Sequence, residues 1–135
     1  MNSYVYFLKT IKSLFQVRFL QMRRPVAVRW NITNKCFNRC RYCTIWENPK
    51  EELSFEKVKE ILWALRKIGI VRISFSGGEP FSRDDIVKII DYSVSLGIYP
   101  EINSSGYHFP KHAPFLKQVS LVKFSIDGPE NIHDQ

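Results

Sequence analysis

The chain has 135 residues and a net charge of +7, from 20 Lys and Arg against 13 Asp and Glu. Its hydrophobic (44%) and charged (24%) fractions exclude a collagen-like or intrinsically disordered chain. At this length it can form about one domain with a buried core.

Basic residues are concentrated in the first third of the sequence. They are Lys9, Lys12, Arg18, Arg23, Arg24, Arg29, Lys35, Arg39 and Arg41. This distribution suits either an anionic partner or a solvated basic surface. The aromatic residues follow no nucleic-acid-binding motif, so we expect no nucleic-acid partner.

Residues 1–24 form a segment of their own. Lys9, Lys12, Gln16 and Arg18 interrupt it too often for an export signal, so we expect a cytoplasmic protein. Apolar residues recur at steps of three and four: Tyr4, Leu8, Ile11, Phe15, Phe19 and Met22. This spacing predicts a basic amphipathic helix, which either docks on the rest of the chain, the favoured interpretation, or makes weak contact with an anionic membrane surface.

Residues 25–135 alternate between strand and helix patterns. Strands are predicted at 26–32, 70–75, 98–103 and 121–126. Helices are predicted at 55–68, 84–96 and, interrupted by a proline, 111–118. Ser54 suits a helix N-cap, and Gly69 and Gly97 suit helix ends. The alternation predicts an α/β fold with parallel strands and functional loops at their carboxyl ends. Four strands do not close a barrel, so we expect a truncated chain.

All three cysteines lie in one short stretch, Cys-Phe-Asn-Arg-Cys-Arg-Tyr-Cys, at positions 36, 40 and 43. Thiolates bind zinc or iron-sulfur clusters, form disulfides or act as nucleophiles. A structural zinc site wants four ligands, and the histidines are far along the chain. A disulfide would leave one cysteine over. In the remaining interpretation the loop holds a four-iron cube by three corners and leaves the fourth iron open.

The cysteine spacing resembles the CxxxCxΦC signature of the radical S-adenosylmethionine superfamily, and Thr33-Asn34-Lys35 resembles the usual lead-in. The resemblance implies that Cys36, Cys40 and Cys43 bind a 4Fe-4S cluster whose open iron is chelated by S-adenosylmethionine. Tyr42, at the aromatic position, is then expected near the adenine; otherwise it is a core tyrosine. The peptide-maturase and molybdopterin-biosynthesis branches are the most similar.

Three further segments carry the resemblance. Ser76-Gly77-Gly78-Glu79-Pro80 matches the turn that receives the methionine amine, with Glu79 as an anionic acceptor. Phe124-Ser125-Ile126-Asp127-Gly128 resembles a segment that reaches the ribose, although Asp127 could equally cap a turn. Many relatives have Thr-Asn-Gly where this chain has Ser104-Ser105-Gly106, and Ser104 could still donate to the cofactor.

The implied fold is about four of the six βα units of a partial (β/α) barrel. The implied reaction is reductive cleavage of S-adenosylmethionine to a 5′-deoxyadenosyl radical that abstracts hydrogen from a peptide or small-molecule substrate. The electron would come from a donor such as flavodoxin or ferredoxin. The open alternatives are a non-catalytic electron-transfer or zinc-binding module and an inactive fragment.

Overall fold

Within the residues that the structure describes, four parallel strands form a single sheet. The computed structural model describes residues 3–19, 25–48 and 50–129. The strands are β1 (Ala27–Thr33), β2 (Arg72–Gly77), β3 (Tyr99–Ser104) and β4 (Leu121–Phe124). They pair in the order β1-β2-β3-β4, each parallel to its neighbour. The predicted parallel α/β fold is confirmed.

The helices are α1 (Ser3–Phe19), α2 (Phe55–Lys67), α3 (Ile86–Ser95) and the short α4 (Phe109–His112). Helix α2 begins as predicted, because the Ser54 side chain accepts a hydrogen bond from the Lys57 N–H at 3.3 Å. A cap of this kind stabilises a helix by about 1 kcal/mol. Gly69 follows the end of α2 with a φ of 95°, a conformation that favours glycine.

The core lies between the sheet and helices α2 and α3. Ile73 and Phe75 of β2 are fully buried, as are Val58 and Leu62 of α2 and Ile89 of α3. These side chains belong to one contiguous cluster, so both helices cover the same face of the sheet. That arrangement leaves the other face of the strands free of α2 and α3.

The other face of the sheet, called the polar face below, carries polar side chains. They are Arg29, Asn31, Arg72, Ser74, Ser76, Glu101, Asn103 and Lys123. Parallel strands that are buried on both faces have near-continuous apolar sequences. The polar and apolar residues alternate here, which indicates that the polar face lines a space and is not part of the core.

Two predicted elements differ from the structure. Strand β4 ends at Phe124, so Ser125 and Asp127 lie beyond it, and the prediction of a strand to residue 126 is wrong. The helix predicted at 111–118 is instead α4 followed by a 3-10 helix, Ala113–Gln118. Pro110 and Pro114 each lie in the first turn of these pieces. Proline fits that position but cannot continue a preceding helix.

Helix α1 is present, but its apolar stripe does not dock on the sheet domain. The described stripe residues are 46% to 67% exposed: Tyr4, Leu8, Ile11, Phe15 and Phe19. Met22 lies outside the described residues. One contact with the domain comes from the basic side of the helix, where the Lys9 ammonium lies 5.9 Å from the centre of the Tyr99 ring. None of the helices within the described ranges has the length and apolarity to span a membrane.

Candidate functional site

The four sequence motifs meet at one edge of the sheet. The cysteine loop, residues 36–43, follows β1, and the Gly77-Gly78-Glu79-Pro80 turn begins at the last residue of β2. Residues 104–106 begin at the last residue of β3, and residues 125–128 follow β4. Because all four strands are parallel, their carboxyl ends lie side by side, and this edge is the usual ligand-binding edge of α/β folds.

The three cysteines are free thiols, each partly buried. The loop turns back on itself, since the Cys43 N–H donates to the Cys40 carbonyl at 3.0 Å. The pKa of Cys36 is raised above its ordinary value by burial, which a backbone hydrogen bond at Asn38 opposes and negative charge at Glu79, Cys40 and Cys43 reinforces.

The lead-in to the loop is fixed by Glu52. The Thr33 hydroxyl donates to Glu52 Oε1 at 2.6 Å and accepts from the Lys35 N–H at 3.0 Å. The Lys35 ammonium pairs with Glu52 Oε2 at 2.8 Å. Burial raises the pKa of Glu52, but the bonds from Lys35 and Thr33 outweigh it and hold that pKa below its ordinary value. The charged form of Glu52 therefore stabilises the start of the cysteine loop.

A buried arginine ties the same region to the helical layer. Arg83 is 3% exposed, and its guanidinium donates to the Ile32 carbonyl at 3.1 Å and to the Leu53 carbonyl. It also forms an ion pair with Asp85, which immediately precedes α3. One side chain thus joins the end of β1, the segment before α2 and the start of α3.

The two glycines allow the turn after β2 to pack against the lead-in. A Cβ at Gly77 would lie 2.2 Å from the Thr33 carbonyl oxygen, and one at Gly78 would lie 2.2 Å from that of Lys35. The Gly78 N–H donates to the Thr33 carbonyl at 2.9 Å, and the Glu79 N–H donates to the Lys35 carbonyl at 2.8 Å. The close approach that these glycines permit is therefore to the protein's own backbone.

Glu79 is buried, at 1% exposure, and its carboxylate is held on both oxygens. Oε1 accepts from the Phe81 N–H at 3.2 Å and the Ser104 hydroxyl at 3.0 Å. Oε2 accepts from the N–H and the hydroxyl of Ser105, both at 2.9 Å. A carboxylate has about four acceptor positions. All of them are occupied here, so the side chain joins the turn after β2 to the loop after β3.

Tyr42 and Asp127 lie together although 85 positions separate them in sequence. The Tyr42 hydroxyl donates to Asp127 Oδ2 at 2.6 Å, and this bond raises the pKa of Tyr42 above its ordinary value. Tyr42 is 71% exposed, which excludes the core tyrosine interpretation. Ser125 is also exposed, and its N–H donates to the Ser104 carbonyl at 3.0 Å. The cysteine loop after β1 and the segment after β4, the two outer strands, therefore contact each other across this edge.

The family assignment rests on this edge and on sequence comparison. The profile described as the Radical SAM superfamily matches residues 30–135. This range contains the cysteine loop, the Gly-Gly turn and the carboxyl ends of all four strands. The chain belongs to the radical SAM superfamily.

Curated relatives have several different activities in their names. PqqA peptide cyclase of Rhodopseudomonas palustris is 36% identical over 88 residues, covering 61% of this chain and 22% of the relative. Fe-coproporphyrin III synthase of Methanosarcina barkeri is 33% identical over 125 residues, covering 88% and 31%. GTP 3',8-cyclase of Alkaliphilus oremlandii is 33% identical over 118 residues, covering 81% and 37%. The chain spans between about a fifth and two fifths of the length of these relatives.

Solved structures share the fold. Streptococcus suis SuiB, crystallised bound to S-adenosylmethionine, superposes with a TM-score of 0.70 over 96% of this chain and 32% of SuiB, at 17% identity. BtrN, crystallised with AdoMet and 2-DOIA, superposes with a TM-score of 0.65 over 82% of this chain and 51% of BtrN, at 18% identity. The predicted partial barrel of the radical SAM type is confirmed.

Membership in the radical SAM superfamily implies a 4Fe-4S cluster and S-adenosylmethionine as cofactors. The donor set fits a cluster, because three free, partly buried thiols lie on one loop. In residues 3–19, 25–48 and 50–129, no group of three or more His, Cys, Asp or Glu side chains surrounds a single metal-ion position. A cube takes each thiolate at a different iron, so it does not require the sulfurs to converge on one point.

Sequence reasoning missed several residues around this radical SAM site. Glu52 and Arg83 act through partners that are distant in sequence, and nothing local in the sequence indicates them. Ser105 lies where many relatives have the Asn of Thr-Asn-Gly, but its bond to Glu79 was not predicted. Arg29 alternates with the apolar residues of β1, a pattern that places it on the polar face.

An aromatic group next to the cysteine loop was also missed. The Phe37 ring centre lies 4.9 Å from that of Tyr107 and 4.4 Å from that of His108. Phe81 stacks on His112 at 4.7 Å, and burial lowers the pKa of His112 below its ordinary value. The loop after β3 therefore packs on the cysteine loop through rings.

Proposed function

We propose that this chain is the first part of the core of a radical SAM enzyme, in which Cys36, Cys40 and Cys43 hold the cluster. The observation that carries the proposal is the position of three free thiols at the same sheet edge as the Gly77-Gly78 turn. We further propose the division into an N-terminal helix at 1–24 and the core at 25–135.

The methionine end of S-adenosylmethionine is assigned to the turn after β2. Gly77, Gly78 and Pro80 give that turn its shape, and Ser104 lies beside it through Glu79. The Glu79 carboxylate has no free acceptor position, so direct acceptance of the methionine amine would break one of its bonds. We therefore assign Glu79 as a positioning residue that sets the turn and places negative charge near the amine.

The adenosine end is assigned to three side chains, those of Tyr42, Ser125 and Asp127. The Tyr42 ring is exposed and can stack on a base, and Asp127 offers carboxylate oxygens to ribose hydroxyls. The Tyr42–Asp127 bond holds these two side chains at one place. Ser125 is exposed two positions before Asp127 and can donate from its hydroxyl.

The cofactors supply the difficult chemistry when bound: one electron, received from a donor such as flavodoxin or ferredoxin, cleaves a carbon-sulfur bond and yields methionine and a 5′-deoxyadenosyl radical that abstracts hydrogen from substrate. The residues of this chain bind and orient these cofactors. The Phe37 ring of the cysteine loop packs on the Tyr107 and His108 rings. Limiting the solvent exposure of a cluster is one way in which a protein sets its potential.

The test is formation of 5′-deoxyadenosine. The chain is reconstituted with iron and sulfide without oxygen, reduced with dithionite and mixed with S-adenosylmethionine. We expect 5′-deoxyadenosine from the wild type and from the surface control Ser95→Ala, and none from Cys40→Ala. Absence of product from wild type that contains four irons per chain would contradict the proposal, and stoichiometric zinc after anoxic purification would favour the zinc-binding alternative.

The substrate is assigned as a peptide or small molecule, because one relative is named a PqqA peptide cyclase and SuiB was crystallised with its precursor peptide SuiA. We place the protein in the cytoplasm, where thiols stay reduced.

Helix α1 is assigned a weak contact with membrane surfaces. Its apolar stripe is exposed and basic residues accompany it. We expect the chain to co-sediment with vesicles containing anionic lipid, and Phe15→Asp to reduce the bound fraction. Equal sedimentation of both variants, or none of the wild type, would contradict this assignment; Trp63→Asp, a substitution of an exposed aromatic on α2, is the matched control.

A further inference from the structure

The polar face of the sheet lines a cavity of about 400 Å³. Arg29, Arg72, Glu101 and Lys123 are among its lining residues, so three basic side chains face one acidic side chain. The region is therefore net positive. Charged side chains on a strand face that would ordinarily be buried indicate a site for a polar ligand.

Two of the basic side chains already have a partner. Glu101 is 5% exposed, and its carboxylate pairs with Arg72 Nε at 3.2 Å and Lys123 Nζ at 2.6 Å. One buried carboxylate thus neutralises part of the charge of both. These three residues form one ion-paired group that connects β2, β3 and β4.

Arg29 has no such partner. Its Nη2 donates to the Ser76 hydroxyl at 2.9 Å, and it forms no ion pair with any residue in the described ranges. A guanidinium has five N–H donors. The bond to Ser76 therefore fixes the orientation of the side chain and leaves most of its donors for a ligand.

Arg29 also borders the edge where the cofactor is assigned. A second cavity of about 560 Å³ is lined by Arg29 together with Ile45 after the cysteine loop and Gly77 of the turn. Arg29 therefore lines both the cavity on the polar face and a second cavity that reaches Gly77 of the turn assigned to the cofactor. A group bound there would lie next to the cofactor.

We propose that Arg29 binds an anionic oxygen group, a carboxylate or a phosphate, of the substrate. Planar, bidentate recognition of such groups is the particular property of arginine. The proposal rests on the proposed function, because it takes the polar face as the substrate side of that site. It narrows the substrate from any peptide or small molecule to one that carries an anionic group near the reacting position.

The experiment measures anion binding and cofactor binding separately. Isothermal titration of the whole chain uses pyrophosphate as a phosphate probe and tricarballylate as a carboxylate probe. The variants are Arg29→Gln, Arg29→Lys and the control Arg66→Gln, which removes the same charge from the exposed side of α2. Circular dichroism checks that each variant is folded. If Arg29→Gln does not fold, Arg29→Lys takes its place in the comparison.

We expect saturable binding of at least one probe to the wild type and to Arg66→Gln. A charge-assisted bidentate contact is worth roughly tenfold in affinity or more, so Arg29→Gln should weaken binding by about that factor and Arg29→Lys by less. The probe that binds identifies the phosphate or carboxylate source. Affinity for S-adenosylmethionine should change less than twofold in all variants.

Three results would overturn the proposal: no saturable binding of either probe by the wild type, equal binding by Arg29→Gln, or an equal loss of S-adenosylmethionine affinity in Arg29→Gln, which would assign Arg29 to the carboxylate of the cofactor. Formation of 5′-deoxyadenosine by the same wild-type sample separates the two proposals. Anion binding without that product would contradict only the proposed function, and the product without anion binding would contradict only the role of Arg29.

Discussion

Gly78 shows most simply how one residue determines this site. Its φ is not in the left-handed region, so the need for glycine comes from the Lys35 carbonyl oxygen, which a Cβ would approach to 2.2 Å. We expect Gly78→Ala to destabilise the chain by about 3 kcal/mol, as overpacking does, and to lower iron incorporation. Urea unfolding and iron analysis measure both effects.

Gly69→Ala is the matched control for that substitution. It places a side chain at a φ of 95° at the end of α2, away from the site. It should cost about 1 kcal/mol, the usual cost of a left-handed residue, and leave iron incorporation unchanged. If Gly78→Ala and Gly69→Ala have the same free energy of unfolding and the same iron content, the result would contradict the close packing of the turn on the lead-in.

The role of Glu79 can be tested through its partner Ser105. If Glu79 acts by holding the turn, Ser105→Ala and Glu79→Gln should each weaken S-adenosylmethionine binding about tenfold, and the double variant should be little worse than either, because both break one unit. Equilibrium dialysis gives the affinities. Binding of 5′-methylthioadenosine, which lacks the amine, should be unchanged.

A different pattern would assign Glu79 as a direct acceptor of the amine. In that case Ser105→Ala would keep its affinity within about twofold of wild type, while Glu79→Gln alone would lose it. That result would contradict the positioning role.

At the scale of elements, the bond between Tyr42 and Asp127 connects the first loop of the sheet to the last. Because Tyr42 is exposed, Tyr42→Phe should change the free energy of unfolding by less than about 0.5 kcal/mol. If the ring stacks on adenine, Tyr42→Phe should keep S-adenosylmethionine affinity within about twofold, and Tyr42→Ala should lower it about tenfold. Equal losses in the two variants would assign the effect to the hydroxyl and Asp127.

Some elements could be predicted from sequence because their signals are local. The limits of α2 follow from Ser54, its N-cap, and Gly69, which comes directly after its C-cap residue. The end of β4 could not be predicted, since Ser125 and Ile126 continue its alternation. The strand ends there because its partner β3 ends at Ser104, whose paired residue is Phe124.

At the scale of the whole molecule, the order of motifs along the chain becomes their order along one sheet edge. The cysteine spacing and the Gly-Gly turn could be interpreted from sequence because each is a contiguous pattern. Three features depend on residues brought together from different strands: the hydrogen bonds that occupy the Glu79 carboxylate, the bond from Tyr42 to Asp127 and the bond from Arg29 to Ser76. Such contacts require the fold.

The central claim is that the cysteine loop holds a cluster with one iron open to S-adenosylmethionine. The most direct measurement is electron-nuclear double resonance on the reduced, reconstituted chain with cofactor labelled at the methionine amine nitrogen and carboxylate. We predict hyperfine coupling of both labels to the cluster. A cluster whose spectrum does not change when the labelled cofactor is added would contradict the claim.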